Sequence, residues 1–84
     1  MPRKAQQSAD YQILTDFLRQ LRQDAGMTQR KVGAKLNKPQ SWVHNCESGN
    51  RRVDITEFIA WSKACDADPS TAFGRLVRFL SRAR

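Results

Sequence analysis

Apolar residues recur along this chain at helical spacing, and no window alternates with period two over the length of a strand. Five short helices are predicted. The first runs from about Asp10 to Ala25, with Leu14, Phe17, Leu18 and Leu21 on one face and Gly26 placed for a left-handed C-terminal residue. The second takes Thr28 as N-cap, turns Val32 and Leu36 inward and ends at Asn37. Gly33 in its middle weakens the helix by about 1 kcal/mol against Ala, so a close packing contact is expected there. The third begins with Pro39 at the first helical position and ends at Gly49. The fourth opens with Asp54 and Glu57, an Asp-x-x-Glu variant of the capping box, and has Ile55, Phe58, Ile59 and Ser62 as its expected inner stripe. The fifth opens with Asp68 and Pro69 and carries Phe73, Leu76, Val77 and Leu80. Phe79 lies off that stripe and either packs on the scaffold or joins a subunit interface. The expected fold is all-α, a compact five-helix bundle over residues 10–84, preceded by a flexible basic N-terminal arm over residues 1–9.

Charge changes this picture from a generic bundle to one with a polyanion partner. The 84 residues carry 15 Lys and Arg against 8 Asp and Glu, a net charge of +7. Residues 19–52 hold eight basic residues against Asp24 and Glu47, while residues 54–72 hold Lys63 against four acids. Positive charge gathered on one segment points to nucleic acid. The opening residues MPRKAQQSAD contain no apolar stretch, so no secretory leader is expected; no apolar run in the chain is long enough for a membrane span, and the chain reads as cytoplasmic. Cys46 and Cys65 are then core thiols. Two Cys and one His cannot assemble a four-ligand zinc site, and no catalytic motif surrounds His44. No enzyme activity, metal or cofactor is expected.

The second and third helices, joined by a tight turn at Asn37 and Lys38, have the outline of a helix-turn-helix. On a helical wheel Val43 and Cys46 point to one side of the third helix. Ser41, His44, Asn45 and Ser48 lie opposite, with Gln40 on one flank and Trp42 on the other. This outer face is neutral and polar, suited to hydrogen bonding with base edges, and Gln or Asn can pair with adenine through two bonds. Trp42 either packs on the scaffold or meets DNA. Gln29, Arg30 and Lys31 sit at the start of the second helix, whose free N–H groups attract phosphate.

Residues 21–58, and more weakly the chain as far as Val77, resemble the phage repressor/Cro type of helix-turn-helix, the XRE family. Gly26-x-Thr28-Gln29, Pro39-Gln40-Ser41-aromatic-Val43 and Glu47-x-Gly49-x-Arg51-Arg52 carry the resemblance. It implies a sequence-specific double-stranded DNA-binding regulator, a repressor in most cases, of bacterial or phage origin. Such proteins bind partly palindromic sites as homodimers, with half-sites about one helical turn apart. It implies base readout by Gln40, Ser41, His44 and Asn45. Backbone contacts fall to Gln29, Arg30, Lys38, Arg51 and Arg52, and an ion pair to Arg22 and Glu47. The dimer contact is expected on the fifth helix at Phe79 and Leu80. An antitoxin-type autoregulator that also binds a protein partner is the alternative. The chain departs from the family at Gly33, where Ala is usual, and at Asp66, where Gly often ends the fourth helix. Cys46 and Cys65 also replace larger apolar residues.

Overall fold

The computed structural model describes residues 8–83. It contains five helices: α1 (Ala9–Asp24), α2 (Gln29–Leu36), α3 (Gln40–Ser48), α4 (Ile55–Ala64) and α5 (Pro69–Arg82). No strand occurs among the described residues. Most of the expected arm, residues 1–7, lies outside them. Ser8 and Ala9 belong to the start of α1, where the Ser8 hydroxyl accepts a bond from the Tyr11 N–H.

Side-chain caps set four of the five helix starts. Thr28 accepts from Lys31 N at 3.1 Å, and Asp68 accepts from Thr71 N at 2.9 Å. Asp54 and Glu57 complete the reciprocal box: Asp54 accepts from Glu57 N, and the Glu57 carboxylate accepts from Asp54 N. Pro39 differs from expectation. It is the N-cap itself, in extended conformation, and makes no side-chain cap bond. Helix α2 ends on left-handed Asn37 and α3 on left-handed Gly49. Asp66, where the family favours Gly, also takes positive φ, at 58°. Aspartate is among the few non-glycine residues enriched in that region.

Gly33 has its close contact. A Cβ built there would stand 2.6 Å from the Lys38 carbonyl oxygen, and Lys38 N donates to Gly33 O at 2.8 Å. The α2–α3 turn thus folds back on α2 at the residue without a side chain. Gly33→Ala gains about 1 kcal/mol of helix propensity but pushes on rigid backbone. The expected outcome is a net loss of about 1–3 kcal/mol in denaturant unfolding. A variant more stable than the parent would show that the turn gives way freely.

The core joins Phe17, Leu18 and Leu21 of α1, Val32 of α2, Val43 and Cys46 of α3, Phe58 and Trp61 of α4, and Ala72 and Leu76 of α5. Two expected stripes are corrected. On α4, Ile55 and Ile59 are exposed, and the buried line is Phe58, Trp61, Ser62 and Cys65. On α5, Phe73 and Val77 are exposed, and Ala72 and Leu76 face inward. Both helices are rotated from the sequence-based expectation. On α4 the rotation buries the large indole of Trp61, whose Nε1 donates to Leu18 O at 3.1 Å. Cys46 and Cys65 are buried free thiols. Burial raises the pKa of both and pushes Cys65 up to about 11, far from the range of reactive thiols.

Candidate nucleic-acid interface

The α2–α3 pair and its turn form one unit, with the start of α3 beside the start of α2. Gln40, Ser41 and His44 of α3 are exposed and Asn45 is half-buried, while Val43 and Cys46 on the other side are fully buried. The neutral polar face therefore lies outward, and the apolar face anchors the helix. Ser48 is half-buried at the C-terminal end and donates to the Asn45 carbonyl.

Beneath α3 lies a buried ion pair. Arg22 Nε is 2.6 Å from Glu47 Oε2, and Arg22 Nη2 is 3.0 Å from Oε1. The Glu47 side chain is 1% exposed and that of Arg22 14%. Arg22 Nη1 also donates to Met27 O, which ties the α1–α2 turn to the same guanidinium. The hydrogen bonds to Glu47 hold the Arg22 pKa above its ordinary value. Gln29 Nε2 donates to Glu47 Oε1 at 3.1 Å, and Gln40 Nε2 reaches Gln29 Oε1 at 3.4 Å. Arg19 is an unforeseen member of the cluster. Its Nη2 donates to Glu47 O at 3.3 Å, and its Nε is 3.7 Å from Glu47 Oε1. One turn before Arg22 on α1, it could have been found by helical spacing once Arg22 was placed inward.

Around the outer face stand the cations. Arg30 and Lys38 are exposed. A shallow cleft of about 550 Å³ opens beside the α2 N-terminus, lined by Arg22, Gly26, Met27, Thr28, Gln29, Arg30 and Gln40. Helix N-termini favour anions, and this one has the exposed Arg30 at its mouth, while Arg22 is taken up by Glu47. Arg51 and Arg52 stand differently from each other. Arg51 forms a two-pronged bond to Glu57, at 2.9 and 2.8 Å, and its guanidinium lies 4.9 Å from the centre of the Trp42 ring. That bond holds the Glu57 carboxyl below the usual carboxylate range. Arg52 is exposed and stacks 4.2 Å from the Tyr11 ring centre. Tyr11, which sequence reasoning missed, pins the α3–α4 loop: its hydroxyl donates to Arg51 O and accepts from Val53 N.

Of the two roles foreseen for Trp42, the structure shows packing on the scaffold. It packs on the core, 6.3 Å from the Trp61 ring, and it lies near cations, with Lys38 Nζ 5.3 Å from its centroid. On α5, Phe79 is edge-on to Phe17 at 5.9 Å and still 40% exposed, while Leu80 is half-buried against the core. Among the described residues no His, Cys, Asp or Glu cluster could hold a metal ion, and no helix is long and apolar enough to cross a membrane.

The Helix-turn-helix domain family matches residues 13–80. A solved structure, that of an XRE-family like protein from Pseudomonas syringae pv. tomato str. DC3000, superposes with a TM-score of 0.78 at 37% sequence identity, covering 84% of this chain and 87% of that one. Comparison with curated proteins finds no match. The helices, their turn and the two comparisons agree: the chain belongs to the XRE-type helix-turn-helix family and is a DNA-binding regulator.

Proposed function

We propose that this protein is a transcriptional repressor that binds a partly palindromic operator as a homodimer, with α3 in the major groove, and that it catalyses no reaction. The observation that carries the reading is the outer face of α3, a neutral polar surface rimmed by cations and fixed to the core from behind. Gln40, Ser41, His44 and Asn45 read base edges. Gln29, Arg30, Lys38 and Arg52 hold phosphates and set the register. Arg51 stands with them, but Glu57 offsets its charge, so much of its role is to hold Trp42 and the loop.

Support for a dimer comes from α4 and α5. Among the described residues the exposed large hydrophobic ones, Ile55, Ile59, Phe73, Val77 and Phe79, all lie on α4 and α5. At about 100° per residue, Leu80 lies next to Phe73 and Val77, and Phe79 lies on the α1 side of α5. Two such helices meeting about a two-fold axis would cover Phe73, Val77 and Leu80 on both subunits, with Phe79 at the edge of the contact. The same surface favours one other reading, the antitoxin-type autoregulator, in which a second protein covers it.

Selection of bound duplexes from a random pool, with light scattering on the free protein, tests the proposal. Two inverted half-sites about one helical turn apart and a dimeric molar mass are expected. Arg30→Ala should lower the dependence of log K on log salt by about one unit, and Arg51→Ala by less. A pool with no enriched sequence would refute sequence-specific binding. A strictly monomeric protein that binds single half-sites would refute the dimer and leave α5 to another partner.

A further inference from the structure

The groove between α1 and α5 has two rims of opposite hydrogen-bonding character. Ile13, Asp16, Phe17 and Gln20 follow one face of α1 at i, i+3, i+4 and i+7, and Phe79 and Arg82 meet them from α5. The groove measures about 450 Å³, within the range of about 300–1,000 Å³ usual for small-molecule sites. Its floor is apolar: Ile13, the buried Phe17, and Phe79 edge-on to Phe17 at 5.9 Å. The α1 rim offers acceptors. Asp16 Oδ1 takes a bond from Gln12 Nε2 at 3.0 Å and lies 3.8 Å from Arg19 Nη1, which leaves Oδ2 without a partner among the described residues. Gln20 Nε2 donates to Asp24 Oδ1 at 2.8 Å. A carboxylate only accepts, so that bond fixes the Gln20 amide with its nitrogen on Asp24 and its Oε1 free. The α5 rim offers donors alone. The Arg82 guanidinium lies 4.8 Å from the Phe79 ring centre and has no carboxylate partner among the described residues.

A ligand that satisfies the whole groove carries an apolar body for the floor, a cationic donor for the α1 rim and an anionic acceptor for the α5 rim. We propose that the groove binds a free α-amino acid with an apolar side chain, its ammonium on Asp16 and Gln20, its carboxylate on Arg82 and its side chain against Phe17 and Phe79. An apolar acid without the ammonium would bring a second anion to Asp16. An amine without the carboxylate would bring a second cation to Arg82. Like charges at these distances oppose each other. The site is independent of the DNA reading of α3. It is also compatible with the dimer surface, since Phe73 meets Phe58 of α4 and thus stands on the flank of α5 away from α1. Asp16, Gln20 and Arg82 are exposed, so solvent screens both rims and the affinity is modest. A dissociation constant of about 0.1–1 mM is expected for a ligand of this size on an open site.

L-Phenylalanine titrated into the full-length protein and followed by nuclear magnetic resonance tests the site. The Gln20 side-chain amide and the Phe17 and Phe79 ring resonances should shift and saturate. Phenylpropionate, which lacks the ammonium, and phenethylamine, which lacks the carboxylate, should each bind at least about fivefold more weakly. Two variants then assign the rims, with circular dichroism as the fold control. Asp16→Asn should weaken L-phenylalanine and remove its advantage over phenylpropionate. Arg82→Gln should weaken L-phenylalanine and remove its advantage over phenethylamine. Equal affinity for the three compounds would show an apolar groove without charge recognition and overturn the amino-acid assignment. Discrimination that survives both variants would place the ligand elsewhere and overturn it too. No saturating shift with L-phenylalanine at concentrations well above the millimolar range would remove the site. Gln20 amide resonances that move when the ligand-free protein is diluted would give the groove to a second copy of the chain, which also overturns the proposal.

Discussion

Replacement of Glu47 by Ala is expected to destabilise the fold by about 3–5 kcal/mol. The carboxylate is buried and receives two bonds from Arg22 and one from Gln29, with Arg19 close by. Removing it leaves the Arg22 guanidinium largely out of water, with Met27 O as its remaining hydrogen-bond partner. The cost is chiefly that of an uncompensated charge rather than of the lost attraction. Small domains have stabilities of about 0.05–0.15 kcal/mol per residue, so the loss takes a large share of what holds the chain folded. Denaturant unfolding followed by circular dichroism measures it. A loss below about 1 kcal/mol would put the pair with solvent-exposed ion pairs and remove its claim to anchor α3. Arg22→Met combined with Glu47→Leu should recover much of the stability, since a buried pair can be replaced by apolar residues at little cost.

Most helix ends, the Asn37 turn and the outward face of α3 were legible in the sequence because each is written locally; Pro39, which caps α3 rather than opening it, and the Ser8 cap of α1 were not. Caps depend on three or four neighbouring residues, and the polar face of α3 contrasts with Val43 and Cys46 within a single turn. The rotations of α4 and α5 were not legible. In α4 two stripes of the same i, i+3, i+4, i+7 form overlap, one on Ile55, Phe58, Ile59 and Ser62 and the other on Phe58, Trp61, Ser62 and Cys65. Periodicity alone does not choose between them, because the choice depends on what α1 and α3 present to α4. In α5 the inward position belongs to Ala72, which carries too little apolar surface to stand out beside Phe73. The Arg51–Glu57 bond was hidden for another reason. Glu57 was already accounted for as the capping-box residue, yet its carboxylate serves both Asp54 N and Arg51. Tyr11 was missed because its partners, Arg51 and Val53, are 40 and 42 residues away in a loop with no periodic signal.

Trp61 is the side chain that the expected α4 stripe left out, and its removal should rival that of Glu47. The ring is 0% exposed, its Nε1 donates to Leu18 O, and its face is near Trp42 of α3. It therefore touches α1 and the first turn of α3 from a position on α4. Trp61→Ala is expected to cost about 3–5 kcal/mol through lost burial and the cavity left behind. Trp61→Phe keeps an aromatic ring and loses the N–H donor, so a smaller loss of about 1–3 kcal/mol is expected. Denaturant unfolding orders the parent and the two variants. The functional consequence separates this residue from Gln40. Under conditions where the Ala variant remains folded, Trp42 loses the ring it leans on, and α3 is held less firmly against the bundle. Affinity should then fall by a similar factor on every duplex, with base preferences unchanged, because no reading group has been altered. A Trp61→Ala protein as stable as the parent would show that the α1–α4 joint does not depend on the indole. A variant with altered base preference would show that Trp61 orients the reading side chains as well as supporting their helix.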